Sequence, residues 1–208
     1  MVIPKGSGGS DAGKPLTDPN LILIGGDVTK QSDVDQVFAA VPKIDGVIVA
    51  LGGKTSEVGD TMLTDGTKNI ITAMKNNNVK RIAVVTSIGV GDSESQAPFF
   101  FKVLMWTAMK KIFTDKNNQE AVVAASGLDY CIVRPGGLTV EPPTGVINVI
   151  QGEAGSIARA DVAAFCLGAV TQEDFEYIGK APCISSVGGT SWVKDRSAKA
   201  RMGDAVEK

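Results

Sequence analysis

Apolar residues are arranged along this chain in two alternating modes. One is the short unbroken run: Leu21–Ile24, Gly46–Leu51, Ile82–Val85 and Tyr130–Val133. Each reads as a buried strand, and each stops at small or turn-forming residues: Gly25-Gly26, Gly52-Gly53, Thr86-Ser87 and Arg134-Pro135-Gly136-Gly137. The other mode is helical spacing. Val34, Val37, Phe38 and Val41 share one face behind a capping-box pattern at Ser32 and Asp35, with Pro42 as the stop. A second helix is predicted from Val58 to Met74, carrying Ile70, Ile71 and Met74 inward and ending at Asn76-Asn77-Asn78. A long helical region is predicted from Phe99 to Ala125, with a break near Thr114 and a stop at Ser126-Gly127. Val146 to Ile150 reads as a short strand or edge segment, and Asp161 to Val170 as a final helix.

Strand and helix in alternation predict βαβ units and a mostly parallel, doubly wound α/β sheet. Right-handed crossovers bring every strand C-terminus to one edge, where ligands of such sheets bind. The small residues after the strands would let a flat ligand lie against the backbone. Three divisions are expected: an irregular segment over 1–20, rich in Gly, Pro, Ser and Asp, a Rossmann-like domain over 21–191, and a polar tail over 192–208.

Composition narrows the chemistry. The 208 residues include no histidine, which removes Ser-His-Asp catalysis, imidazole acid–base work and His-containing metal sites. No metal centre is expected. A net charge of −2 offers no field for nucleic acid. No apolar run reaches the roughly 18 residues of a membrane span, and no secretory signal opens the chain. An intracellular soluble location is expected, cytoplasm or an organelle matrix or stroma. Cys131, Cys166 and Cys183 are widely spaced among apolar or small residues and read as packing thiols.

At the strand ends the sequence resembles the atypical short-chain dehydrogenase/reductases, and within them the biliverdin/flavin reductase-like NAD(P)H-binding proteins. The matching segments are Gly26-Asp27-Val28-Thr29, Val47 through Gly53, Asp65-Gly66-Thr67 with Asn69, Val79 through Ser87, Ser126 through Leu138, and Ala158 through Ala163. They cover roughly residues 20 to 180. The resemblance implies that Asp27 and Val28 border the adenine. Ala50, Leu51, Gly52 and Gly53 would lie under the adenosine and pyrophosphate. Thr86 and Ser87 would sit beside the nicotinamide, and Pro135, Gly136 and Gly137 would meet its carboxamide through the backbone. Lys116 stands where the family often has a lysine reaching the nicotinamide ribose, with Glu120 one turn on. Plainer readings stay open beside these. Asp27 could cap a turn, Lys116 and Glu120 could be an exposed i,i+4 pair, and Ser87 could satisfy backbone groups. Asp161 reads best as a helix N-terminal acid.

The chain departs from the family pattern in two respects. The family opens with a strand and a Gly-x-x-Gly-x-x-Gly loop that holds the pyrophosphate on backbone N–H groups. Only about twenty irregular residues precede Leu21, so the first strand and its loop are expected to be missing and the N-terminus incomplete. Gly8 through Lys14 imitates a nucleotide-triphosphate loop, but Pro15 stands where Ser or Thr should hold Mg²⁺. Lys5 is a hint toward NADP over NAD. The second departure is catalytic. Many relatives use Tyr-x-x-x-Lys, and with Lys116 as that lysine the tyrosine position holds Ile112. Alcohol–ketone interconversion needs a placed acid or base. Hydride transfer to a flavin, quinone or biliverdin-like acceptor needs it less, because the acceptor spreads the charge.

Phe99-Phe100-Phe101 with Leu104, Met105 and Trp106 is the densest apolar stretch. It admits three readings: a stacking wall for a planar acceptor through Phe100 and Trp106, a docking surface for a partner subunit or membrane, or a buried helix face. Two functions follow. The first is an NADP(H)-dependent reductase of conjugated acceptors, with NAD possible, using Ser87 and Lys116. The alternative is a non-catalytic structural or assembly subunit.

Overall fold

A computed structural model of the chain describes residues 17–52 and 59–186. Among the described residues seven strands and five α-helices follow in the order α1 (Gln31–Ala39), β1 (Gly46–Val49), α2 (Met62–Asn76), β2 (Arg81–Val85), a 3₁₀ turn (Gly91–Gln96), α3 (Phe99–Trp106), α4 (Lys110–Ala124), β3 (Asp129–Pro135), β4 (Gly137–Thr139), β5 (Asn148–Val149), β6 (Ser156–Ala158), α5 (Arg159–Thr171) and β7 (Cys183–Ser185). The main sheet has the order β1-β2-β3-β7-β5. Strands β1, β2, β3 and β7 are parallel neighbours, and β5 closes the far edge antiparallel. Strands β4 and β6 form a separate parallel pair.

Period-two alternation sorts the strand side chains onto two faces. Ile82 and Val84 of β2 join Val49, Ile132, Val34, Phe38, Ile71, Met74 and Val123 in a core under α1, α2 and α4. Ala83, Cys131 and Val133 turn the other way, onto Val162, Phe165, Cys166 and Ala169 of α5. The helix lies close over β1, because a Cβ on Gly46 would meet Val170 at 2.8 Å. Each fully buried residue such as Leu63, Met74 or Ile82 is worth about 1.5–3 kcal/mol of burial. Arg81 donates to the carbonyls of Ala169 and Glu173, placing a cation at the C-terminal end of α5.

Several expectations need correction. Leu21–Ile24 is not a strand. It has no regular structure, and Leu21, Ile22 and Leu23 are exposed, because no described strand lies alongside to complete its backbone hydrogen bonds. A shallow depression there is lined by Thr17, Asp18, Pro19, Leu21 and Leu23, and the Asp18 carboxylate accepts the Asn20 N–H. Ser32 does not cap α1. Lys30 is at that position without a side-chain bond, and the Ser32 hydroxyl donates to Asp33. The long helical region breaks at Thr107–Met109 rather than near Thr114, where no side chain caps either end. Helix α2 begins at Met62, later than expected, and the edge segment 146–150 pairs only over Asn148–Val149. Lys5, the Gly8–Lys14 segment, Gly53 and the tail after Trp192 lie outside the described residues.

Candidate functional site

The parallel register makes β1, β2 and β3 finish together. Val49 is paired with Val84, and Val85 with Val133. The segments that leave them, Ala50-Leu51-Gly52, Thr86-Ser87 and Pro135-Gly136-Gly137, therefore stand in a row on one sheet edge. Ala50 and Gly52 are exposed, and a side chain at Gly52 would meet nothing within 4 Å. Gly136 is the opposite case. A Cβ there would run into the carbonyl of Gly155, so only glycine lets the two backbones approach.

A buried polar network holds the middle of this edge. The Thr86 hydroxyl donates to Glu120 Oε1 at 2.6 Å. Arg134, at the end of β3, donates Nε to the same oxygen at 3.1 Å and Nη2 to Oε2 at 2.6 Å. Both partners of this bidentate pair are buried, while its outer member Asp92 lies on the surface of the 3₁₀ turn and accepts from Arg134 Nη1. Burial opposes the charge on Arg134, but hydrogen bonds and attraction from Glu120 and Asp92 outweigh it and hold the guanidinium above its ordinary value. The bond from Arg134 is the largest cause of the lowered Asp92 pKa. Asn117 completes the clamp by accepting the Gly91 N–H at 2.8 Å, and Gly91 takes a left-handed φ of 61° against the Arg134 guanidinium.

Lys116 sits one turn before Glu120. Its Nζ donates to the Thr86 carbonyl at 3.2 Å. Burial pushes its pKa down to about 8, against attraction from Glu120 and Asp115 that raises it. The exposed-pair reading of Lys116 and Glu120 is thus wrong: Glu120 belongs to Thr86 and Arg134, and Lys116 to the strand end. Among the described residues no partner engages the Ser87 hydroxyl, so the backbone-satisfying reading of Ser87 finds no support. The carboxylate of Asp115, also on α4, accepts the N–H groups of Leu63 and Thr64 together with the Thr64 hydroxyl, closing the N-terminus of α2.

The backbone after β3 offers less than expected. The Gly136 N–H is donated to Ile184 O and the Gly137 N–H to Gly155 O, while Pro135 O accepts from Ile88 N. What remains there for a carboxamide is carbonyl acceptor capacity, not free N–H groups. Asp27 forms a local turn, accepting both the N–H and the hydroxyl of Thr29, and stays exposed. Val28 packs against Gly66 beside Leu51, with its carbonyl held by Asn69. Asp161 does not cap its own helix. Its carboxylate accepts from Thr144 N, Thr144 Oγ1 and Gly145 N and pins that loop to α5. Phe100 and Trp106 point outward, whereas Phe101 and Met105 pack inward, so the buried-face reading holds for only part of α3. Burial raises the Cys131 pKa to about 12 and that of Cys166 to about 11, leaving both as inert thiols. Sequence reasoning missed Arg134, Asp92, Asn117 and Asp115. One signal was available: an arginine at the end of an apolar strand requires buried acidic partners.

A fold of this kind defines a class of dinucleotide-binding protein, and the comparisons agree. The model of the family described as NAD(P)H-binding matches residues 10–173, and the chain belongs to that family. It is 31% identical over 173 residues, 77% of its length, to the Arabidopsis thaliana protein At2g34460, chloroplastic, and 29% identical over 147 residues, 68% of its length, to the Bacillus subtilis protein named uncharacterized sugar epimerase YhfK. It spans 59% and 64% of those two relatives. Among solved structures it is similar to ChuY, named as an anaerobilin reductase, from Escherichia coli O157:H7, with a TM-score of 0.63, 26% identity, and coverage of 78% of this chain and 74% of that one. The chain has a Rossmann-like, mostly parallel α/β fold, and nicotinamide dinucleotide is its cofactor class. Among the described residues no helix is long and apolar enough to cross a membrane.

The chemistry of these residues is compatible with a nicotinamide dinucleotide. The site provides the Ser87 hydroxyl, which no described residue engages, a lysine at the strand end and carbonyl oxygens near Pro135. The described residues present no glycine loop for the pyrophosphate, and the N-terminus of α2 is already filled by Asp115.

Proposed function

We propose that this protein is an NAD(P)H-dependent reductase of a planar conjugated acceptor, flavin, quinone or biliverdin-like, with NADPH as donor. One observation carries the reading. Lys116 is drawn onto the Thr86 carbonyl beside the Ser87 hydroxyl, which no described residue engages, with half-buried Ile112 in place of a tyrosine one turn away. Bound nicotinamide would supply the hydride. Lys116 would hold the ribose and stabilise negative charge, Ser87 would orient the ring, and carbonyls around Pro135 and Gly136 would take the carboxamide. Ala50, Leu51 and Gly52 would underlie the adenosine, with Asp27 and Val28 beyond. Without a placed phenol the site favours acceptors that take protons from solvent. The ChuY likeness supports the acceptor class, and the chloroplastic name of one relative is compatible with an organelle stroma.

The test is NADPH consumption by the purified protein with FMN, a quinone and biliverdin. Turnover with at least one is expected, and Lys116→Met should lower kcat/KM by about 10². Failure to bind or oxidise NADPH would end this reading. A second reading, a binding module without turnover, draws on the missing phenol and would be favoured by tight NADPH binding with no acceptor reduced.

A further inference from the structure

Helix α3 has two unlike sides. Phe101 meets Phe113 edge-on at 5.8 Å, and Met105 packs against Gly89 on the loop after β2. On the other side Phe99, Phe100, Val103 and Trp106 are 77%, 72%, 41% and 56% exposed. At one residue per ~100° these four form a continuous strip about 120° wide. They include every aromatic side chain among the large exposed hydrophobics of the described residues.

The charges within this stretch of chain have one sign. From Ala97 to Lys111 the chain carries Lys102, Lys110 and Lys111 and no acid, although the whole protein is at −2. Lys111 pairs with Asp60 at 3.0 Å, and among the described residues Lys102 and Lys110 have no acidic partner. Of the acids on the preceding turn, Asp92 is held by Arg134, leaving Glu94. An aromatic strip rimmed by lysines matches one occupant better than the rest. Protein interfaces favour aromatic residues but are depleted in lysine. A bilayer interface takes both: rings enter at the headgroup level while lysines reach out to anionic phosphates. We propose that α3 is a docking helix that seats the protein on an anionic membrane surface through Phe99, Phe100, Val103 and Trp106, with Lys102 and Lys110 on the headgroups. This use replaces the acceptor-wall expectation for Phe100 and Trp106. It does not depend on the redox reading, though it would bring the loop after β2 close to the lipid.

Vesicle flotation of the purified protein tests this, using phosphatidylcholine with and without phosphatidylglycerol. Trp192→Phe leaves Trp106 as the single indole. Binding to the anionic vesicles with a blue shift of Trp106 emission is expected. Phe100→Ser should weaken binding roughly tenfold, and Lys102→Gln or Lys110→Gln roughly fivefold each. All these positions reach solvent, so circular dichroism should stay unchanged. Absence of binding, equal binding to both vesicle types that ignores the lysine substitutions, or an unshifted Trp106 would each overturn the proposal. A dimer in light scattering that dissociates on Trp106→Ser would assign the strip to a second copy and overturn it equally.

Discussion

Leu21–Ile24 and Ile82–Val85 are both four-residue apolar runs closed by small residues, yet only the second is a strand. Ile82, Ala83 and Val84 are fully buried between β1 and β3, while Leu21, Ile22 and Leu23 stand 42%, 64% and 41% exposed. The difference lies outside the runs themselves. A strand is completed by neighbours on both backbone edges and a helix over each face, and the first run has neither among the described residues. The second run also ends in a polar anchor, Thr86 bound to Glu120 and through it to Arg134. Hydrophobicity proposes a strand, and pairing decides it.

That contrast can be broken at its strong end first. Arg134→Met leaves Glu120 buried without its cation, and urea unfolding should show a loss of about 3–5 kcal/mol. A loss below 1 kcal/mol would mean that the network does not anchor the edge. Asp115→Ala unpairs the Leu63 and Thr64 N–H groups at the start of α2 and should cost about 1–3 kcal/mol. Lys116 gives a pH signature. Its folded pKa of about 8 lies below the ordinary 10.5, so the unfolded chain binds more protons between those values. Stability should therefore rise with pH across that window, by at most about 1.4 kcal/mol per pH unit, and Lys116→Met should flatten the slope. At the weak end, Ile22→Ser should change stability by less than about 0.5 kcal/mol. A loss of 2 kcal/mol or more would show that this run is buried in the working protein.

Much of the fold was legible because it rests on short-range pattern. The runs at Val47, Ile82 and Tyr130 became adjacent parallel strands, and Asn78, with φ of 57°, and Gly127, with φ of 73°, follow helix ends as their residue types foretell. Strands β4, β6 and β7 escaped because each has three residues and exists only through its partner. The site was legible as far as strand ends reveal it: Thr86 and Gly136 could be placed from the runs before them. The Glu120–Arg134–Asp92 clamp was not, because its members are up to 42 residues apart and only the folded sheet brings them together. The use of the Gly136 and Gly137 N–H groups was equally hidden, since their acceptors belong to Ile184 and Gly155.

Nicotinamide dinucleotide is expected to bind along the edge formed by the ends of β1, β2 and β3. Titration of isotope-labelled protein with NADPH, followed by backbone amide NMR, tests it directly. Shifts concentrated at Leu51, Gly52, Thr86, Ser87, Gly136 and Gly137, with Asn77, Lys80 and Gly127 at the opposite edge unmoved, are the expected result. No shifts, or shifts centred on that opposite edge, would contradict it.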